Sequence, residues 1–140
     1  MDRKEFFTAL GITAASSAVL ACVSCSKEGG SKPQVHGPTG VDFTLDLTAA
    51  ANSELVAKGG FLSSNNVLIG HTLADAYIAV QLSCTHAQYP LIYQANLQKF
   101  YCRNHGSTFS ESGAVLAAPA STSLTAYKTQ LTDNSLRIFS

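Results

Sequence analysis

Tryptophan is missing from this sequence, and the single methionine is residue 1. Charge is scarce too: nine basic and nine acidic residues cancel, and charged side chains make up 13% of the chain. That balance excludes the basic footprint of a nucleic-acid-binding protein and the polybasic patch of an electrostatic membrane binder. Helical periodicity longer than a turn or two is absent after residue 25, which excludes a helical bundle. A disulfide scaffold is excluded by position rather than by count. Of the four cysteines, Cys22 and Cys25 lie in an apolar leader, and Cys84 and Cys102 fall in a motif that uses free thiols, so no structural disulfide is expected. What the chain does have is apolar content, 46% of 140 residues, which suits one small domain with one core preceded by something unusually hydrophobic.

Residues 1–25 read as a targeting segment. Arg3 and Lys4 supply its positive start, and Phe6 to Val23 form an apolar run rich in Ala, Gly and Ser. The run is short against a membrane span of about 20 residues, so a cleaved signal peptide is the first reading and an uncleaved anchor the second. Val19-Leu20-Ala21-Cys22 resembles the lipobox of bacterial lipoproteins, in which the chain is cut before the cysteine and its sulfur is lipidated; Cys25, after Ser24, is the alternative site. Asp2-Arg3-Lys4-Glu5-Phe6-Phe7 is similar to a twin-arginine export signal with lysine in place of the second arginine, a route that suits export of a protein already folded around a cofactor. Cys22-Val23-Ser24-Cys25 is also a C-x-x-C, but with the leader before it and a polar tail after it, nothing folded surrounds these thiols to make a redox site. Residues 26–40, with Gly29, Gly30, Pro33, Gly37, Pro38 and Gly40, have the composition of a flexible linker, which as a coil would hold the domain about 20 Å from its anchor. His36 within it reads as a solvated side chain.

The domain spans residues 41–140. Val41, Phe43, Leu45 and Leu47 alternate with Asp42, Thr44, Asp46 and Thr48, the pattern of a half-buried strand. A short helical turn over Ala49 to Ala57 is ended by Gly59-Gly60, and Phe61-Leu62 begins another strand that turns at Asn65-Asn66 into Val67-Leu68-Ile69. His71, which has no cysteine neighbour, reads as a half-exposed strand residue. A strand over Tyr77 to Leu82 leads into Cys84, and Leu91-Ile92-Tyr93 can pair with Lys99-Phe100-Tyr101 across the turn from Gln94 to Gln98. Ala114-Val115-Leu116 follows a turn at Ser112-Gly113, and strands near Thr125 to Leu131 and Leu136 to Phe139 close the chain through Asp133-Asn134. About eight short strands with turn signals between them predict an all-β fold, a small antiparallel barrel or sandwich.

Chemistry concentrates between Cys84 and Ser107. Cys84-Thr85-His86 and Cys102-Arg103-Asn104-His105 each offer one thiolate and one imidazole, so two short loops can bring two sulfurs and two nitrogens together. The pattern is open to a two-iron centre in which each metal collects a matching pair, to a four-ligand structural zinc site, or to ordinary unconnected residues. It resembles the Rieske family, whose two-iron, two-sulfide cluster is held by two cysteines on one iron and two histidines on the other. Gly106-Ser107, Pro90-Leu91 and Pro119 fit that family as well.

The resemblance implies that Cys84 and Cys102 bind the inner iron and His86 and His105 the outer one, in a subdomain over about residues 82–119 inserted in an antiparallel base. Ser107 matches a serine that donates to a bridging sulfide in high-potential members, whereas Phe109 stands where those members have a tyrosine donor. Tyr89 and Asn104 occupy the positions at which quinol-oxidising members carry a loop disulfide, and Ala87 replaces a frequent leucine. Together these residues imply a ferredoxin-like variant, a one-electron carrier between periplasmic or membrane redox partners, tethered by lipid to the bacterial cell envelope and facing the periplasm. Other readings are an iron-sulfur subunit of a quinol-oxidising cytochrome complex or of a molybdenum oxidase, and a structural zinc-binding lipoprotein. The implied partners are cytochromes or other oxidoreductase subunits, or quinol.

Overall fold

A computed structural model describes residues 35–140; the leader with Cys22 and Cys25, and residues 26–34 of the expected linker, lie outside the described residues. The strands are β1 (Asp42–Asp46), β2 (Phe61–Ser64), β3 (Val67–His71), β4 (Tyr77–Gln81), β5 (Leu91–Gln94), β6 (Lys99–Cys102), β7 (Thr108–Ser110), β8 (Val115–Ala117), β9 (Ala126–Thr132) and β10 (Ser135–Phe139). Among the described residues helix is confined to two 3₁₀ turns, Ala50–Leu55 and Ala95–Leu97. No helix among the described residues is long and apolar enough to cross a membrane. The all-β expectation holds, and the strand it does not single out is β7, whose three residues are too few to show an alternation.

Two antiparallel sheets result. The base sheet runs β1-β10-β9-β4-β3-β2, and a four-stranded sheet, β5-β6-β7-β8, is a simple meander. The meander lies in sequence between β4 and β9, which pair with each other at Ala79–Tyr127 and Val80–Ala126. The excursion therefore leaves the base and returns to it at one place. Hairpin chemistry sets the register of the base: Asn65 and Asn66 both have positive φ, 52° and 61°, and form the two-residue turn between Ser64 and Val67. Primed turns of this kind match the right-handed twist of the flanking strands.

All five residues of β3 are buried, which explains why Val67-Leu68-Ile69 reads as an unbroken apolar run. Alternate residues serve different cores. Val67, Ile69 and Ala79 join Val41, Leu55, Tyr127, Leu136 and Ile138 in the base, whereas Leu68 and Val80 join Leu91, Tyr93, Phe100, Phe109, Cys84 and Cys102 under the meander. Gly70, on the Leu68 face, makes room for the excursion: a Cβ there would stand 2.9 Å from the Tyr93 ring. Tyr93 in turn donates its hydroxyl to the Glu111 carboxylate, and burial pushes its pKa well above the ordinary phenol value.

His71 departs from the expectation of a half-exposed strand residue. It is 4% exposed, its Nδ1 lies 2.8 Å from the Leu55 carbonyl and its Nε2 2.9 Å from Asp75 Oδ1, and its ring stacks on Tyr77 at 4.3 Å. The reason is the 3₁₀ turn Ala50–Leu55, which folds over the end of β3 and shields the ring.

Three surface carboxylates are held below the usual range: Asp75 chiefly by its hydrogen bond with His71, Asp42 by Arg137, and Asp46 by the Thr48 hydroxyl. A depressed folded value means that the stabilisation is complete above the unfolded value of about 3.9 and is lost as pH falls through the folded one. Thermal unfolding temperature should therefore fall as pH drops below about 4, and Asp75→Asn should flatten that limb. The flattening should shrink in high salt, because these groups are exposed.

Candidate metal centre

The two ligand loops share one backbone frame. In the first, the Cys84 amide donates to the Tyr89 carbonyl at 2.8 Å and the Gln88 amide returns to the Cys84 carbonyl at 2.9 Å. In the second, the Cys102 amide donates to the Ser107 carbonyl at 2.9 Å and the Gly106 amide returns to the Cys102 carbonyl at 3.0 Å. Each loop turns through a residue of positive φ at the same place, Gln88 at 58° and Gly106 at 83°. Strand pairing sets the loops side by side, since Leu91 follows the first loop and is paired with Cys102 at the start of the second. The hairpin expected between residues 91 and 101 is formed, and it joins the loops as the sequence suggests.

The four donors fall into two environments. Cys84 and Cys102 are both free thiols with 0% exposure, close enough for a side-chain hydrogen bond. Burial is the largest cause raising the Cys84 thiol above its ordinary value; Cys102 beside it also raises it, while the backbone N–H groups of His86 and Ala87 oppose the rise by donating to the sulfur. A metal ion would supply the positive charge this buried sulfur needs to ionise, and the two amides are already aimed at it. His86 and His105 are exposed, with their rings edge to face at 4.7 Å and their Nδ1 atoms 3.2 Å apart. Metal–imidazole bonds of roughly 2.0–2.1 Å at a tetrahedral angle put two ligand nitrogens about 3.3 Å apart, so the imidazole pair is spaced for one ion. Among the described residues no three His, Cys, Asp or Glu side chains converge on a single point. Two pairs of donors suit the two-metal centre that the resemblance implies.

The segment after β8 crosses both loops. The Ala120 amide donates to Ser107 Oγ at 3.0 Å, which holds the buried serine while leaving its hydroxyl proton free to donate, and Thr85 Oγ1 donates to the Thr122 carbonyl at 2.6 Å. Tyr89 and Asn104 are exposed at the same end, Asn104 Nδ2 lying 3.2 Å from His105 Nδ1. The sequence singles out Pro119 in this segment but not Thr85 or Thr122. A threonine between two candidate donors carries no signal until its partner, distant in sequence, is known.

A β framework that buries neighbouring thiols and exposes neighbouring imidazoles suits an iron-sulfur centre for electron transfer. A family model described as the Rieske [2Fe-2S] domain matches residues 48–128, more than half of the chain, and the chain belongs to that family. It accordingly carries a Rieske-type cluster of two irons and two sulfides. It is similar to the cyanobacterial plasma membrane Rieske protein PetC3 from Synechocystis PCC 6803, at 28% identity and a TM-score of 0.53 over 63% of this chain and 93% of that one. The fold is also that of the ferredoxin of carbazole 1,9a-dioxygenase from Nocardioides aromaticivorans IC177, at 19% identity and a TM-score of 0.56 over 73% of this chain and 98% of that one. No curated protein sequence matches the chain.

The shared loop frame makes a prediction. A non-glycine residue in the left-handed region costs about 1–2 kcal/mol, and Gln88 bears that cost while Gly106 avoids it. Gln88→Gly should raise the stability of the loaded protein by about 1 kcal/mol in denaturant titrations. Gly106→Ala should lower it by about the same amount, from the backbone alone, since nothing lies within 4 Å of a Cβ there.

Proposed function

We propose that this protein is a membrane-tethered one-electron carrier on the periplasmic side of a bacterial envelope, with Cys84 and Cys102 on the inner iron and His86 and His105 on the outer one. The observation that carries the reading is the split in burial within the donor set, two enclosed thiols against two exposed imidazoles. When bound, the cluster supplies one-electron chemistry and leaves no open coordination position for a substrate. With each Nδ1 engaged, the Nε2 of His86 and His105 is the atom left to meet a partner or to exchange a proton with water. Ser107, held by the Ala120 amide, would have its hydroxyl proton free to donate to a cluster sulfur. The partners in this reading are redox proteins, a cytochrome or another oxidoreductase subunit. Tyr89 and Asn104, in place of the disulfide cysteines, weigh against the quinol-oxidising subunit. Likeness to a plasma membrane Rieske protein supports membrane association, and the lipobox-like sequence at Cys22, with Cys25 as alternative, supports an acyl anchor.

Cys84→Ser and His105→Ala should each abolish iron content and visible absorbance and leave the domain poorly folded, because metal binding free energy is partly folding free energy. Wild-type protein that carries zinc and no acid-labile sulfide would overturn the ligand assignment. Voltammetry should place the potential within the family range of roughly −150 to +300 mV but below its upper end, with Ser107→Ala lowering it and Phe109→Tyr raising it. Mass spectrometry of the mature amino terminus should find a lipidated Cys22, absent in Cys22→Ala unless Cys25 takes its place. An intact Met1 in membranes would favour the uncleaved anchor.

A further inference from the structure

One buried side chain braces the place where the excursion leaves the base. Gln81 ends β4 with 1% exposure. Its Nε2 donates to the Ser83 carbonyl at 2.7 Å and to the Val35 carbonyl at 3.2 Å, and its Oε1 accepts from the Thr125 amide at 2.8 Å. Its own backbone N–H donates to the Thr125 carbonyl at 2.9 Å. Ser83 immediately precedes the ligand Cys84, Thr125 immediately precedes β9, and Val35 belongs to the stretch whose composition reads as linker.

That stretch is seated against the domain from Val35 onward. The Gly37 amide donates to Thr125 Oγ1 at 3.2 Å, and the Tyr127 hydroxyl donates to the Pro38 carbonyl at 2.7 Å. The fit is close, since a Cβ on Gly37 would run into the Tyr127 hydroxyl and stand 2.7 Å from Gln81 Cβ. A coil serving only as a spacer has no need of a side-chain-free position against a buried glutamine.

We propose that Gln81 is a positioning residue for the first ligand loop, and that the docked segment Val35–Pro38 completes its support, making the end of the tether part of the cluster's protein environment. The amide of Gln81 has two N–H donors, and both are used, one on each side of the neck. When the segment is lifted away, one donor turns from the Val35 carbonyl to water, and the grip on Ser83 loosens because the buried amide is no longer held from both sides. Planar peptides pass a shift of Ser83 directly to Cys84, whose amide and carbonyl close the first loop through Tyr89 and Gln88. Hydrogen bonds to ligating sulfur and solvent access both tune the potential of such clusters. The inference rests on Cys84 being a cluster ligand.

The test uses the full chain loaded with its cluster, as wild type, Gly37→Ala and Gln81→Met. Gly37→Ala lifts the segment by pressing on Tyr127 and Gln81 while leaving both side chains in place, and Gln81→Met keeps side-chain volume while removing the brace. Hydrogen exchange at the amide of residue 37 should be about tenfold faster in both variants, as for the loss of one buried hydrogen bond. The midpoint potential should move in the same direction in both, and visible absorbance should decay several-fold faster than in wild type. The inference is overturned if residue 37 is unprotected in wild type. It is also overturned if Gly37→Ala frees the segment while potential and decay rate stay at wild-type values. Failure of the underlying ligand assignment shows separately, as iron retained by Cys84→Ser.

Discussion

Everything between Leu82 and Leu124 hangs on the pairing of β4 with β9. Two residue pairs, Ala79–Tyr127 and Val80–Ala126, close the base sheet under the excursion, and the Gln81–Thr125 contact seals the top of that closure. Without it, β3 and β4 would present Leu68 and Val80 to water instead of to the meander, and the second core would lose its floor. The thiols belong to that second core. Their enclosure is therefore a consequence of sheet closure at a distance, and a cluster placed there is supported by a continuous apolar layer rather than by the loops alone.

The loops themselves solve a different problem, which is to present two unlike donors from nearly identical backbones. Both are closed by the same pair of amide–carbonyl bonds, yet the histidine falls two residues after Cys84 and three after Cys102. That offset lets the imidazoles meet edge to face with their Nδ1 atoms together, outside the shell that encloses the sulfurs. A gradient from dry sulfur to wet nitrogen suits one-electron transfer. The enclosed side keeps solvent from the sulfurs, and the exposed side offers ring nitrogens to the surroundings.

The fold class was legible because alternation along residues 41–48 and 77–82 and the Asn65-Asn66 turn are local signals, each expressed within a few residues. The two Cys–His loops stood out for the same reason, as two short motifs of unusual residue types. Legibility ended where a residue's role depends on a distant partner. His71 reads as a surface strand residue until the 3₁₀ turn Ala50–Leu55 folds over it, and Gln81 reads as a polar position in a strand until Val35 and Thr125 arrive from either side. Gly37 is the sharpest case. Composition places it in a coil, and only the Tyr127 hydroxyl and Gln81 Cβ close beside it show that the position tolerates no side chain.

The nesting of one sheet inside the other also orders the events of folding. The meander joins neighbours in sequence, as in Leu91 with Cys102 and Tyr101 with Thr108, whereas the base must bring Asp42 to Phe139 and Ala79 to Tyr127. Contacts between near neighbours carry little loop-closure entropy and form early; those between distant ones form late. The hairpin between Cys84 and Cys102 therefore closes over a short stretch of chain, while the enclosure of both thiols depends on pairings between distant ones.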